Sequence, residues 1–245
     1  MTTLLQRHES VGRIVREHPS LSRLFEQAKI DYCCGGQKTL VEACRQRGID
    51  PEAFISELET TVNHEETEEI NFNDFSLTEL VNHIEQTHHA YLHSELPRLE
   101  KMTAKVAAVH GEEELRLHQI NAVFLPFSQE LTRHVMKEEK FLFPMIRQLD
   151  AGTLPNAHCG DDPQFHCGSI ANPIRQMKLE HDEEHDETGL ILAQLRKLSD
   201  DYTPPQWACN TYRALFDALA YFEADMRQHV HKENNILFPR AQSRA

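Results

Sequence analysis

An eleven-residue stretch of this chain, His134-Val135-Met136-Lys137-Glu138-Glu139-Lys140-Phe141-Leu142-Phe143-Pro144, is written a second time as His229-Val230-His231-Lys232-Glu233-Asn234-Asn235-Ile236-Leu237-Phe238-Pro239. In each copy a glutamate follows the histidine by four residues, and a Phe-Pro pair closes the segment ten residues after it. Positions i and i+4 of a helix share a face one turn apart, so an imidazole nitrogen and a carboxylate can reach one point and form half of a metal site. One His-x3-Glu alone is an ordinary surface ion-pair pattern. The repetition, with its shared apolar tail, is what separates a metal half-site from that pattern.

The repeat extends upstream. His89 precedes His134 by 45 residues (134 − 89), and His185 precedes His229 by 44 (229 − 185). Each half then reads as a helix with one histidine, a connection, and a helix with His-x3-Glu. Two such hairpins predict an all-α, up-and-down four-helix bundle, whose inward positions are where bundles build metal sites.

Composition narrows the function classes. With 39 acidic against 25 basic residues the net charge is −14, which argues against nucleic acid or an anionic membrane as the main partner. No stretch approaches the apolar length of a membrane span, and Met1 to His8 lacks the pattern of a secretory signal. Six cysteines in a chain of 245 residues, two of them adjacent, fit a reducing compartment, with the cytoplasm as the default.

Taken in order, residues 1–62 read as a small helical domain. Val11, Ile14, Val15 and then Leu21, Leu24, Phe25 recur at helical intervals around a break at Pro19-Ser20. The second helix runs into Asp31-Tyr32-Cys33-Cys34-Gly35-Gly36, where the glycines stop it and leave both cysteines on a turn. An exposed thiol there could carry a lowered pKa, and two partly buried small residues fit the pattern equally. Helices are also expected over 39–47 and 51–61. The acidic run Asn63 to Glu69 is a linker, and a second domain spans 75–245.

Ser76 and Glu79 form a capping box that opens the first bundle helix, which Pro97 should bend. The second bundle helix lies within 111–149, and Pro126 should interrupt it just before the metal turn. Residues 151–172 form a long loop, 173–198 the third helix and 206–240 the fourth.

His89, His134, Glu138, His185, His229 and Glu233 together supply four imidazoles and two carboxylates, a set suited to iron, manganese or zinc. If both carboxylates bridge two metals, each metal keeps a position open to an outside ligand. His181 competes with His185, because Glu180-His181-Asp182-Glu183 is repeated four residues on; the 44-residue interval and nearby Gly189 favour His185. His158-Cys159 and His166-Cys167 lack the short cysteine spacing of a zinc loop. Cys44 and Cys209 read as core, and His64, His83, His88, His93, His110 and His118 as surface or packing residues.

Asp31-Tyr32-Cys33-Cys34-Gly35-Gly36, Lys137-Glu138-Glu139, Leu142-Phe143-Pro144-Met145-Ile146 and Glu233-Asn234-Asn235-Ile236-Leu237-Phe238-Pro239 together resemble the RIC family of di-iron iron–sulfur cluster repair proteins, the ScdA and YtfE type. The resemblance covers nearly the whole chain. It implies a ScdA-type N-terminal domain and a hemerythrin-like bundle holding two iron ions in an oxo-bridged, carboxylate-bridged centre on the six residues above. It further implies a cytoplasmic protein that repairs clusters damaged by nitric oxide or oxidants, donating iron, with Cys33 and Cys34 assisting. Damaged iron–sulfur proteins would be its partners and nitric oxide or O₂ its small ligands, with no nucleic acid or membrane partner and a homodimer left open. Departures from the family pattern are the duplicated His-Asp-Glu-Glu and a long 151–172 loop.

Overall fold

The computed structural model describes residues 7–33, 35–64, 71–153, 185 and 187–244. Among these the secondary structure is helical, apart from one isolated bridge between Ser10 and Thr39. The chain divides into two compact units, Met1–Leu80 with Arg227–Ala245, and Val81–Met226.

In the first unit, α1 (Val11–Glu17), α2 (Ser22–Gln27), α3 (Leu40–Arg47) and α4 (Pro51–His64) surround a core of Ile14, Leu21, Phe25, Tyr32, Leu40 and Leu58. Phe25 stands edge-on to both Tyr32 and Phe54. Local chemistry fixes the helix ends. Thr39 and Glu42 make a reciprocal capping box at the start of α3, and Gly48, at φ +70°, ends it in the left-handed conformation that glycine adopts without steric cost. Asp50 Oδ1 accepts from the Glu52 amide at 2.8 Å ahead of Pro51-led α4.

The same unit holds the C-terminal segment. From Arg227 onward α10 (Asn210–Lys232) belongs to this unit, and it passes into a π-helical turn, Glu233–Leu237, and then α11 (Phe238–Arg244). Asn235 packs where α1 meets the cysteine-bearing turn. A Cβ on Gly12 would stand 2.5 Å from Asn235 Oδ1, and one on Gly36 would stand 2.7 Å from the Tyr32 carbonyl. Both glycines are therefore required by close approach. Arg240 donates to the Phe72 carbonyl at 3.1 Å and also to that of Phe75, holding 71–75 against α11.

The second unit is the bundle. α5 (Leu77–Ile84) opens on the expected capping box: the Ser76 amide donates to Glu79 Oε2 at 2.7 Å, and the Glu79 amide to Ser76 Oγ at 3.1 Å. A π-helical turn, Glu85–His89, leads into α6 (Ala90–His110), which packs along α7 (Arg116–Lys137). A second π-helical turn, Glu138–Leu142, connects α7 to α8 (Phe143–Asp150). Residues 187–198 form α9. Leu99, Ile120, Phe124, Leu195, Leu215 and Phe222 are buried in the core, with Phe124 and Phe222 rings 5.7 Å apart.

One local expectation is corrected: Pro126 lies inside α7, which continues through it, as α6 also continues through Pro97. A proline removes a single backbone hydrogen bond, and the buried side chains around it hold the helix together. The departures from α geometry fall instead on the π turns. Each of the two repeat copies places one immediately before its Phe-Pro pair, where the proline lacks the N–H that would bond four residues back.

Candidate metal centre

In the larger unit, α7 and its π turn aim His134 and Glu138 inward, and the turn Glu85–His89 does the same for His89. Nε2 of His89 lies 3.3 Å and Nε2 of His134 3.6 Å from the same carboxylate oxygen, Oε2 of Glu138. The His185 ring is 5.3 Å from that of His134. All four side chains are buried, His89 completely. Two imidazole nitrogens converging on one buried carboxylate oxygen make a nitrogen- and oxygen-rich donor set of the kind that iron, manganese and zinc accept.

A further layer of contacts sets the orientation of His89. Its ring stacks on Phe143 at 5.2 Å, and its Nδ1 lies 3.1 Å from Glu139 Oε1. A carboxylate can only accept, so this contact favours a proton on Nδ1, the tautomer that would leave Nε2 available to a metal. The half-exposed His93 donates to the same Oε1 at 2.9 Å. His88, also buried, faces Asp225 at 2.8 Å and packs away from these donors. Beside His134 and His185 lies a cavity of about 20 Å³ lined also by Phe127, Leu131, Thr188 and Ile191.

In the smaller unit, His229 Nε2 lies 2.9 Å from Glu233 Oε1, both side chains being buried. Their neighbour His231 faces the other way, with Nδ1 3.2 Å from Asn235 Nδ2 and its ring 5.4 Å from that of Tyr32. Burial pushes His231 down to about 3, so it stays a neutral imidazole.

Cys33 is buried, its thiol donating to Asp31 Oδ1 at 3.1 Å, which agrees at that position with the buried alternative of the two that the sequence leaves open. Cys34, His181, His158, Cys159, His166 and Cys167 lie outside the described residues. Cys44 is core, as expected. Cys209 is exposed, contrary to expectation, because it precedes α10 and does not sit within its apolar face. Sequence reasoning missed Glu139 and His93. The four-residue step from His89 to His93 was the available signal for one of them, and nothing local marked Glu139 as different from Glu138.

A family model described as the hemerythrin HHE cation binding domain matches residues 80–166 and 168–241, and the ScdA_N model, described as a domain of unknown function, matches 7–62. The iron–sulfur cluster repair protein YtfE of Yersinia pseudotuberculosis serotype IB is 35% identical over 96% of this chain and 97% of its own length. The chain belongs to the YtfE family of iron–sulfur cluster repair proteins. The YtfE proteins of Yersinia pestis strain Pestoides F and of Y. pseudotuberculosis serotype O:1b match over the same share, at 35% and 34% identity. Membership carries a hemerythrin-type, iron-binding helical domain, and the buried imidazoles and carboxylates are donors that fit such a metal. Among the described residues no helix is long and apolar enough to cross a membrane.

Proposed function

We propose that His89, His134, Glu138, His185, His229 and Glu233 hold an oxo-bridged di-iron centre, and that the protein restores iron–sulfur clusters damaged by nitric oxide or oxidants. The reading is carried by one observation, the register of two helices. Phe127, Leu131, His134 and Glu138 are buried at steps of four, three and four residues, and Phe222, Met226, His229 and Glu233 repeat those steps with the same burial. Positions so spaced share one helical face, so the apolar face that enters the bundle core also carries each histidine and glutamate.

When bound, the iron pair supplies labile iron for transfer and redox chemistry toward small ligands. The chain's own groups do the rest. Imidazole nitrogens and the two carboxylates hold the ions, Glu139 fixes the tautomer of His89, and the leucine and phenylalanine shell excludes bulk water. Cys33 and Cys34 assist transfer from the N-terminal side. Domains of 1–62 and 75–245, supported by the separate matches of the two family models, divide these tasks. The protein works in the cytoplasm on damaged iron–sulfur proteins. The small cavity beside His134 and His185 favours a second reading, in which the centre binds or reduces O₂ or nitric oxide.

The test loads the full-length chain with iron, mixes it with an apo iron–sulfur enzyme, and follows cluster absorbance and iron content together. Stoichiometric iron loss with return of the cluster supports repair. A stable, reversible O₂ adduct without transfer supports the second reading, and a chain that retains no iron overturns both.

A further inference from the structure

Far along the chain from the metal donors, the larger unit pairs a nucleophile with a base. Cys209 is the exposed cysteine among the described residues, and its Sγ lies 3.2 Å from His110 Nε2. The imidazole is held in place by two rings, Trp207 and Tyr212, each with its centroid 5.8 Å away. A thiol and an imidazole within hydrogen-bond reach, with the base fixed by packing, is the arrangement of an activated thiol. Both side chains line a cavity of about 150 Å³ whose other walls are Lys105, Val106, Val109 and Thr211.

The electrostatics agree with the geometry. The amide of Tyr212, then the His110 side chain, then the amide of Thr211 lower the Cys209 thiol from 9.0 to about 7. Cys44 shows the opposite behaviour, its thiol pushed up by burial. A cysteine kept for packing has no use for a base or for an adjoining cavity.

We propose that Cys209 and His110 form a thiol–disulfide exchange site that takes a low-molecular-weight disulfide bearing carboxylates. His110 accepts the thiol proton, and the Cys209 thiolate attacks one sulfur of the disulfide. A Cys209–sulfur bond forms as the disulfide bond breaks, and the departing thiolate takes the proton back from His110. One small thiol is released and the other half remains on Cys209, with no oxidant needed beyond the disulfide itself. Val106 and Val109 pack against the methylenes of the retained half, and the Lys105 ammonium faces its carboxylate. A cavity of about 150 Å³ gives one half of such a small molecule room beside the thiol.

The experiment exposes the full-length protein to oxidised glutathione at neutral pH and follows the adduct by intact mass and peptide mapping. The expected result is preferential modification of the Cys209 peptide, lost in Cys209→Ser, with the rate in His110→Gln falling roughly threefold to tenfold as thiolate fraction is lost and partly offset by higher intrinsic nucleophilicity. Cys209 is exposed, so Cys209→Ser leaves the core intact, and an unchanged unfolding temperature of His110→Gln confirms that its packing against Trp207 and Tyr212 is not needed for folding. A second readout is the pH–rate profile of iodoacetamide alkylation at Cys209, expected to have its midpoint near 7 in the parent chain and higher in His110→Gln. Modification confined to other cysteines, or a Cys209 rate and midpoint unchanged by His110→Gln, overturns the proposal.

Discussion

Oε1 of Glu139 lies 3.1 Å from Nδ1 of His89, on the side of the imidazole opposite the Glu138 carboxylate. The two adjacent glutamates thus take different parts, one at the donor cluster and one behind the histidine. Replacing Glu139 by Leu removes the partner that fixes the His89 tautomer, and iron affinity should fall roughly 10- to 100-fold. Glu139→Gln, which keeps an acceptor oxygen, should recover part of it. Competition with a chelator followed by iron analysis reads the difference, and equal retention in all three proteins would remove Glu139 from this role.

Glu138→Leu goes further, because the carboxylate oxygen on which His89 and His134 converge is lost outright. Bound iron and the visible spectrum of the loaded protein should both drop below those of Glu139→Leu. Glu233→Leu should do the same, its partner being His229 at 2.9 Å. An unchanged spectrum in either variant would contradict the proposed ligands.

Gly12→Ala sets two effects against each other. Alanine is better than glycine inside a helix by about 0.8–1.0 kcal/mol. The new Cβ, however, would stand 2.5 Å from Asn235 Oδ1 and 3.1 Å from the Gly36 backbone, and overpacking of this kind costs about 1–3 kcal/mol. The steric term should win, lowering the unfolding temperature in a calorimetric scan. A more stable variant would show that Asn235 moves aside freely.

Arg196→Met should destabilise the bundle by about 3 kcal/mol, measured by urea unfolding. Glu223 is buried and receives Arg196 Nη2 at 2.9 Å together with the Tyr202 hydroxyl at 2.7 Å. Removing the guanidinium leaves a buried carboxylate with much less compensation. The double variant Arg196→Met with Glu223→Leu should regain most of the loss, since it removes the charge as well.

The helical class, the capping box at Ser76, and the histidines and glutamates of the repeat were legible in the sequence. Each follows from periodicity or from residue types that act within one or two turns. The position of Cys209 was not legible, because an exposed residue before a helix and a buried one inside it differ little in composition. Pro126 misled for a related reason. The proline's local cost is visible in the sequence, and the packing of Phe124 and Phe127 that outweighs it is not.

Sequence alone marked the candidate metal donors and showed that they recur at matching intervals, since helical spacing is a property of the local backbone. Tertiary structure decided that Glu138 accepts the approach of His89 and His134 while Glu139 stands behind His89. It also placed His110 against Cys209 across 99 residues. Those relationships depend on how one helix packs on another, and no single stretch of chain contains that information.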